Sequence, residues 1–473
     1  MTDTSHIPSI PSDSSDSDGQ HSVEQELMQK INDRSAVVGV VGLGYVGLPL
    51  VQAVHSAGYR VIGFDVDAPK IEMLNQGRSY LKHLGDELTQ TLAASDRFTP
   101  SNDEAVLEQA DIVILCVPTP INASRDPDLS FVIGSTQTVG RSLRSGQLVI
   151  LESTTYPGTT RDVMLPILQD HAKERGLDLQ PGVEYFVAYS PEREDPGRAG
   201  MVTSMIPKIV GGLDEASGSL AQAFYSSCIE HVFRVGSCEI GEASKLLENV
   251  YRAVNIALVN ELKVVFDRMD IDIWEVIDAA KTKPFGFEAF YPGPGLGGHC
   301  IPIDPFYLAW KAKQVGHETR FVELAGEINR RMPSYVVERV EQSLAADGKT
   351  LDGASVLLVG IAYKPDVDDI REAPAAEIIT LLNDAGAQVS YHDPLISEFP
   401  SMRRYTIELN SVELDQGTLG SADCVLIVTD HQQIDWDLIG QSSSLVVDTR
   451  NAMARARDQK ENTGDWIARV VKA

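Results

Sequence analysis

From Ala36 the chain alternates short apolar runs with helix-period stretches punctuated by glycine. Ala36–Val41 is an apolar run that ends in Gly42-Leu43-Gly44-Tyr45-Val46-Gly47; an apolar-periodic stretch to Ala57-Gly58 predicts a helix, and Arg60–Phe64, closed by Asp65, predicts a second strand. Further apolar runs at Asp111–Val117 and Gln147–Leu151 run into polar loops, Pro118-Thr119-Pro120 and Glu152-Ser153-Thr154-Thr155-Tyr156-Pro157-Gly158. Strands alternating with helices predict a parallel sheet in an α/β domain. Ligands of such sheets sit beyond the carboxyl ends of the strands, so these loops are expected to line a site; turn capping is the plain alternative for their Ser and Thr side chains.

Residues 240–268 keep helical periodicity almost without interruption, which predicts one helix of about 40 Å. It is long enough to connect two domains. Lys245 and Asn249, four apart, share one of its faces, with Asn255 and Asn260 further along; taken alone, a helical lysine reads as part of a solvated face. A second helical stretch spans 318–346. Beyond it the pattern of the first domain returns: Ala354–Gly360 is an apolar strand, a helix runs to Ala385-Gly386, and a strand ends at Asp393. Asp111-Ile112-Val113-Ile114-Leu115 is echoed by Asp423-Cys424-Val425-Leu426-Ile427, and Leu148-Val149-Ile150 by Leu445-Val446-Val447. This internal repeat predicts a second nucleotide-binding-like α/β domain. Its first strand enters Ile361-Ala362-Tyr363-Lys364-Pro365-Asp366 without the three glycines, so it holds a different nucleotide or none.

The expected architecture is therefore α/β, with two Rossmann-like doubly wound domains joined by a long central helix and a helical dimerisation region. Its parts are a disordered acidic tail (1–34), a dinucleotide-binding domain (35–215), a central helical domain (216–345) and a C-terminal Rossmann-like domain (346–473). A length of 473 residues with 43% hydrophobic residues suits two or three cores. The tail holds seven acids against two bases, −5 of a net charge of −28, so the body is itself acidic. That excludes a general nucleic-acid binder, which needs clustered Lys and Arg. A solvated, self-repelling surface or a cell of high internal salt would each account for it. Five scattered cysteines show no disulfide or zinc spacing, so no metal is expected and a reducing cytoplasm fits. No apolar run reaches the length of a spanning helix, and no signal peptide opens the chain.

Two motifs carry chemistry. A strand, glycine turn, helix and strand, followed by an acid about 20 positions beyond the glycines, form a dinucleotide-binding fingerprint. The glycines let the backbone approach a pyrophosphate at a helix N-terminus. Asp65 can accept from both ribose hydroxyls, and its charge would repel a 2′-phosphate, so NAD is expected rather than NADP. The second motif is Gly293-Pro294-Gly295-Leu296-Gly297-Gly298-His299-Cys300-Ile301-Pro302-Ile303-Asp304. Glycines without Cβ atoms would let a bulky polar substrate reach the Cys300 thiol, and a carboxylate follows four residues on. An inert buried thiol in an ordinary loop is the alternative.

Taken together, Gly42–Gly47 with Asp65, Glu152-Ser153-Thr154, Ser190-Pro191-Glu192, Lys245 with Asn249, Gly297-Gly298-His299-Cys300 with Asp304, and Tyr363-Lys364 with Arg371 resemble the UDP-glucose/GDP-mannose dehydrogenase family over roughly residues 36–455. The resemblance implies an NAD-dependent, four-electron oxidation of a sugar C6 alcohol to a carboxylate. It makes Cys300 the nucleophile that holds the aldehyde as a thiohemiacetal and then a thioester. It gives Lys245 and Asn249 the developing oxyanion, Asp304 and Thr154 a water, and Glu192 general acid/base duty. The cofactor roles it implies fall on Gly42, Gly44, Tyr45, Val46, Gly47, Asp65, Lys70, Thr119, Ser153 and Arg371. Those for a UDP-sugar fall on Glu192, Lys245, Asn249, Tyr291, Gly295, Gly297, Lys364 and Arg450. Pro196 replaces a second glutamate found in UDP-glucose dehydrogenases, Ile303 replaces a lysine, and no arginine matches the one that crosses their dimer. These departures are similar to members acting on UDP-N-acetylhexosamines, UDP-N-acetylglucosamine above all, with UDP-N-acetylmannosamine, UDP-N-acetylgalactosamine and UDP-glucose as alternatives. A homodimer or larger assembly is expected, because the long apolar helix has more face than one chain covers. Two other classes stay open: a two-electron dehydrogenase of the β-hydroxyacid type, and a non-catalytic NAD-binding protein.

Overall fold

The computed structural model describes residues 22–81, 85–122, 124, 126–193, 203–298, 301, 303–402, 404–459 and 466–473. Two sheets organise the chain. The first runs β3-β2-β1-β4-β5-β6-β7-β8, with β1 (Val37–Val41), β2 (Arg60–Phe64), β3 (Phe98–Ser101), β4 (Ile112–Leu115), β5 (Leu148–Leu151), β6 (Phe186–Tyr189), β7 (Lys208–Gly212) and β8 (Val232–Val235). All neighbours are parallel except β6 and β7. Central strands such as β4 and β5 are apolar and buried throughout, as a parallel sheet covered on both faces requires. The covering helices are α2 (Gly47–Ser56), α3 (Ala68–Asn75), α4 (Glu87–Ala93), α5 (Ser130–Ser142), α6 (Leu165–Glu174) and α7 (Glu215–Ser226). The strand order reverses between β1 and β4, the switch point where doubly wound sheets bind ligands. The sheet takes in β8 and so extends past the expected boundary at residue 215.

The tail expected to be disordered over 1–34 requires correction at its C-terminal end, whereas residues 1–21 lie outside the described residues. Val23–Asp33 is a helix, α1, begun by a capping box between Ser22 and Gln25. Its Leu27 and Ile31, one turn apart, are buried in the first core, and Tyr59 donates to the Ile31 carbonyl at 3.0 Å. Of the acids counted in the tail, Glu24, Glu26 and Asp33 fall on this helix, away from its buried Leu27 and Ile31.

The long helix is α8 (Cys238–Asp267), 30 residues, started by Ser237, whose hydroxyl accepts from the Ile240 N–H. It packs on α11 (Arg320–Ala346), with the shorter α9 (Ile273–Ala280) and α10 (Asp304–Gln314) beside it. Inside the α8–α11 contact, Asn260 donates to Asn329 Oδ1 at 2.9 Å, Asn329 donates to the Ala253 carbonyl at 3.1 Å, and Asn260 Oδ1 accepts from the Gly293 N–H at 3.0 Å. The glycine-rich loop is thus tied to the central helices.

The second sheet is all parallel and runs β10-β9-β11-β12-β13, with β9 (Ser355–Val359), β10 (Gln388–His392), β11 (Cys424–Ile427), β12 (Leu445–Asp448) and β13 (Arg469–Lys472), and α12 (Pro374–Asp384) following β9. The repeat read from the sequence is a repeat of geometry. Asp65 Oδ2 accepts from the Leu43 N–H at 2.9 Å, and Asp393 Oδ2 from the Ile361 N–H at 2.8 Å. Asp111 Oδ2 accepts from Val37 N–H at 3.0 Å and pairs with Lys30; Asp423 Oδ2 accepts from Ser355 N–H at 2.9 Å and pairs with Lys349.

Candidate active site

The glycine turn after β1 has the shape of a dinucleotide cradle. A Cβ on Gly42, at φ +93°, would lie 2.5 Å from the Cys116 carbonyl oxygen, and one on Gly47 would lie 1.9 Å from that of Gly42. A Cβ on Gly44 would meet nothing within 4 Å. Two glycines close the turn against its neighbours, and the third faces open space where a pyrophosphate could approach. Asp65 is buried at the end of β2, its Oδ1 accepting from the Asp67 N–H at 3.0 Å, with Lys70 Nζ 3.4 Å from Oδ2. Tyr80 donates to the Leu43 carbonyl, and burial, with the charges of Asp65 and Asp67, holds its phenol well above the usual value. On the other side of the switch point, Ser153 accepts from Val117 N–H at 3.0 Å and donates to Val117 O at 2.7 Å, locking the loop after β5 to that after β4. Thr119 is buried there, and Tyr307 of α10 donates to the next carbonyl, Pro120, at 3.0 Å. Arg371 comes from the second sheet's side: Asp369 holds its guanidinium through both oxygens, and the group lies 4.5 Å from the centre of the Tyr45 ring. The residues present fit NAD, which these positions would hold.

The side chains expected to take part in the chemistry come from several elements. Lys245 is buried on α8, 6% exposed, which sets aside the solvated-face alternative. Asn249, one turn on, donates to Oδ2 of Asp304, the first residue of α10. Burial raises the Asp304 carboxyl to about 7, opposed by the charge of Lys245 and the Asn249 hydrogen bond and reinforced by the charge of Glu192. Glu192 is thus close enough for its charge to be felt at Asp304. Thr154 is half-buried directly beyond Ser153. Cys300 and His299, like Pro196, lie outside the described residues. The four described cysteines, Cys116, Cys228, Cys238 and Cys424, are buried, and burial pushes each thiol up. None of them offers a thiolate.

The glycine-rich loop packs against the C-terminal domain. The Gly298 N–H donates to the Arg371 carbonyl at 2.9 Å, and a Cβ on Gly297 would lie 2.6 Å from that of Tyr363. Gly295, at φ +139°, fits between Pro333 and Pro374. Arg450 donates from Nε to the Val428 carbonyl at 2.8 Å and reaches Gly293, where a Cβ would lie 2.7 Å from Nη1. Lys364 places its ammonium 5.7 Å from the Tyr363 ring centre. Tyr291 stays at the loop's outer edge, stacked on Trp274 at 5.4 Å and bonded to Lys281 and Asp278. Sequence reasoning missed Glu242. It is fully buried and accepts from the N–H groups of Gly158 (2.6 Å) and Thr160 (2.9 Å) and the Thr160 hydroxyl (2.8 Å), fixing α8 to the loop after β5. The available signal is spacing, since Glu242, Lys245 and Asn249 fall on one helix face.

Family models for the UDP-glucose/GDP-mannose dehydrogenase family match three stretches: the NAD binding domain over 36–229, the central domain over 239–331 and the UDP binding domain over 357–455. The UDP-N-acetyl-D-glucosamine 6-dehydrogenase of Pseudomonas aeruginosa is 35% identical over 399 residues, 84% of this chain and 90% of that one. The UDP-N-acetyl-D-mannosamine dehydrogenase of Pyrococcus horikoshii is 31% identical over 421 residues, 88% of this chain and 95% of that one. A solved UDP-glucose dehydrogenase from Pyrobaculum islandicum superposes with a TM-score of 0.80 at 27% identity, covering 93% of this chain and 97% of that one. With a cradle for NAD after β1, a second α/β domain matched as UDP-binding, and Asn249 bonded to a buried Asp304 near the buried Lys245, the chain belongs to the UDP-glucose/GDP-mannose dehydrogenase family of nucleotide-sugar dehydrogenases.

Proposed function

We propose that the protein oxidises the C6 hydroxymethyl of UDP-N-acetyl-D-glucosamine to the carboxylate. The observation that carries the chemistry is the buried cluster of Lys245, Asn249 and Asp304 with the Asp304 carboxyl raised to about 7, where it can hold or release a proton near neutrality. Two NAD molecules, bound in succession, would each accept one of the two hydrides that C6 gives up. Lys245 and Asn249 stabilise the developing alkoxide and oxyanion. The Cys300 thiolate adds to the aldehyde carbon as a thiohemiacetal, which keeps the aldehyde from escaping between oxidations and leads to a thioester. Asp304 and Thr154 position a water, and Glu192 takes its proton as the thioester is hydrolysed. Tyr291, Gly295, Gly297, Lys364 and Arg450 bind the sugar nucleotide, the last two supplying positive charge for its pyrophosphate.

The acetamido sugar is supported by the sequence around Cys300 and Pro284-Phe285-Gly286-Phe287, and by relatives named for N-acetylhexosamines. Comparing UDP-N-acetylglucosamine, UDP-N-acetylmannosamine, UDP-N-acetylgalactosamine and UDP-glucose at equal concentration tests it. The expected result is two NADH per UDP-N-acetylglucosamine, and turnover of UDP-glucose alone overturns the assignment. The product suits surface polysaccharide synthesis starting in the cytoplasm. Among the described residues no helix is long and apolar enough to cross a membrane. The working unit is a homodimer: Leu247, Tyr251, Leu258 and Val265 leave an exposed apolar row along α8, which a second copy would cover. A monomer in sedimentation at working concentration would refute that.

A further inference from the structure

A buried ion pair lines the same cavity as Glu192. Lys208, the first residue of β7, has a side chain 9% exposed, and its Nζ is 2.8 Å from Oε1 of Glu152, itself 1% exposed. The Tyr225 hydroxyl donates to the same oxygen at 2.5 Å, Lys208 Nζ lies 4.9 Å from the centre of the Tyr225 ring, and Cys116 Sγ is 3.8 Å from Glu152 Oε2. Withdrawing both charges from water is costly, and an apolar pair would fill the space at less cost. Stability alone is therefore a weak reason for the pair.

The backbone around it is registered on Glu192. Two residues before Glu192, Ser190 donates to the Ile209 carbonyl at 2.8 Å; one residue after it, Arg193 donates to the Pro207 carbonyl at 2.8 Å. The carbonyls that flank Lys208 are thus gripped by the side chains that flank Glu192. Arg193 is also committed to Glu248 of α8 at 2.5 Å. Glu152, Glu192 and Lys208, with Arg193, are among the residues that line a small, partly open cavity of about 20 Å³, room for about one water. Burial lowers the Lys208 pKa, but the charge and hydrogen bond of Glu152 and the charge of Glu192 outweigh it, so the ammonium stays protonated.

We propose that Lys208 is a positioning residue for Glu192, holding its carboxylate ionised and oriented across this one-water cavity for the hydrolytic half of the reaction. The proposal rests on the reading of Glu192 as the hydrolytic base. In that step the water oxygen bonds to the thioester carbon, its proton passes to Glu192, and the Cys300 sulfur leaves as thiolate. Among the described residues, the titratable groups around Glu192 are Lys208 on β7, Arg193 next to it in the chain and paired with Glu248 of α8, Glu152 after β5, Cys116 after β4 and Asp304 on α10, the last with Lys245 of α8 beside it. Burial keeps the Cys116 thiol protonated, and Glu152 and Asp304 can add only negative charge. Among the described residues, Arg193 is committed to Glu248 and Lys245 lies beside Asp304, which leaves Lys208 as a buried cation on this cavity that can favour the Glu192 carboxylate.

Lys208→Gln, Lys208→Arg and the double variant Lys208→Gln/Glu152→Gln test this, with thermal unfolding and NAD affinity as checks of folding. The double variant leaves no orphaned charge if the single one fails to fold. In Lys208→Gln the acidic limb of the turnover-versus-pH profile should move up by about one unit, because removing the cation raises the Glu192 pKa. Turnover should fall roughly tenfold with little change in KM for the sugar nucleotide, and a burst of NADH should precede a slow steady state. The double variant should move the same way by less, and Lys208→Arg should restore the wild-type limb. A wild-type limb without a burst in either folded neutral variant overturns the proposal. Glu192→Gln separates the two readings: slow hydrolysis there with normal Lys208 variants removes the Lys208 role alone, whereas normal hydrolysis there removes the Glu192 role and this one with it.

Discussion

The Asn249 side-chain amide on α8 donates to Oδ2 of Asp304 at the first turn of α10, joining the central helix to the carboxylate four residues beyond Cys300. The hydrogen bond favours the ionised acid while burial opposes it, and the balance lies near pH 7. Asn249→Ala removes a stabiliser of the charged form, so the Asp304 pKa should rise. The limb of the turnover profile near pH 7 should then shift to higher pH by about one unit, and Asp304→Asn should lose it. A limb unmoved in Asn249→Ala would separate Asp304 from the rate-limiting chemistry.

Glu242 carries a related signature in stability. Burial raises its carboxyl from an ordinary 4.5 to about 7 against the hydrogen bonds from Thr160 and Gly158. Between those values the folded state holds more protons than the unfolded one, so Glu242 makes the protein less stable as pH rises through about 7. Glu242→Gln has no such slope. Urea unfolding at pH 5 and pH 8 should show the variant gaining on the wild type by on the order of 2 kcal/mol at the higher pH. Parallel changes in the two proteins would mean that the carboxyl titrates as it does in water.

Arg371 tests whether the C-terminal half completes the NAD site. Its guanidinium is fixed by Asp369 and lies over Tyr45 of the glycine turn. Arg371→Ala should weaken NAD binding by about 1 kcal/mol, roughly fivefold in Kd, since the contact is partly exposed. Arg371→Lys should recover only part of it, because a lysine lacks the flat fork that pairs with Asp369. Equal Kd values by calorimetry for wild type and Arg371→Ala would exclude Arg371 from the cofactor site.

Much of this site was legible because backbone needs leave marks in sequence. The glycine turn, Asp65 and its echo Asp393 could be read from strand patterns, and both acids accept the N–H after the first strand's terminal glycine. Asp111 and Asp423 were visible as a repeated pattern, while their use as anchors for Val37 and Ser355 was not. Helix α1 was missed because the serines and acids preceding it dominate the composition, and two buried residues, Leu27 and Ile31, are a short signal. Glu242 and the Lys208–Glu152 pair were missed for a different reason. Charged residues read as surface until a partner distant in sequence is known, and these partners lie 82 to 84 and 56 residues away.

Asn260 shows how the glycine-rich loop is held for chemistry. Its amide lies fully buried between α8 and α11, donating to Asn329 and accepting from the Gly293 N–H. Asn260→Ala would leave the Gly293 N–H and the Asn329 oxygen without these partners in the interior, which should cost about 2–4 kcal/mol in urea unfolding. Asn255→Ala, five residues earlier, removes only an exposed bond to the Tyr251 carbonyl and should stay within about 0.5 kcal/mol. Because Gly293 opens the loop that leads to Cys300, Asn260→Ala should also lower turnover more than it raises KM for NAD, whose cradle lies at the other sheet. Equal stability of the Asn260 and Asn255 variants would show that the central helices hold the loop without this network.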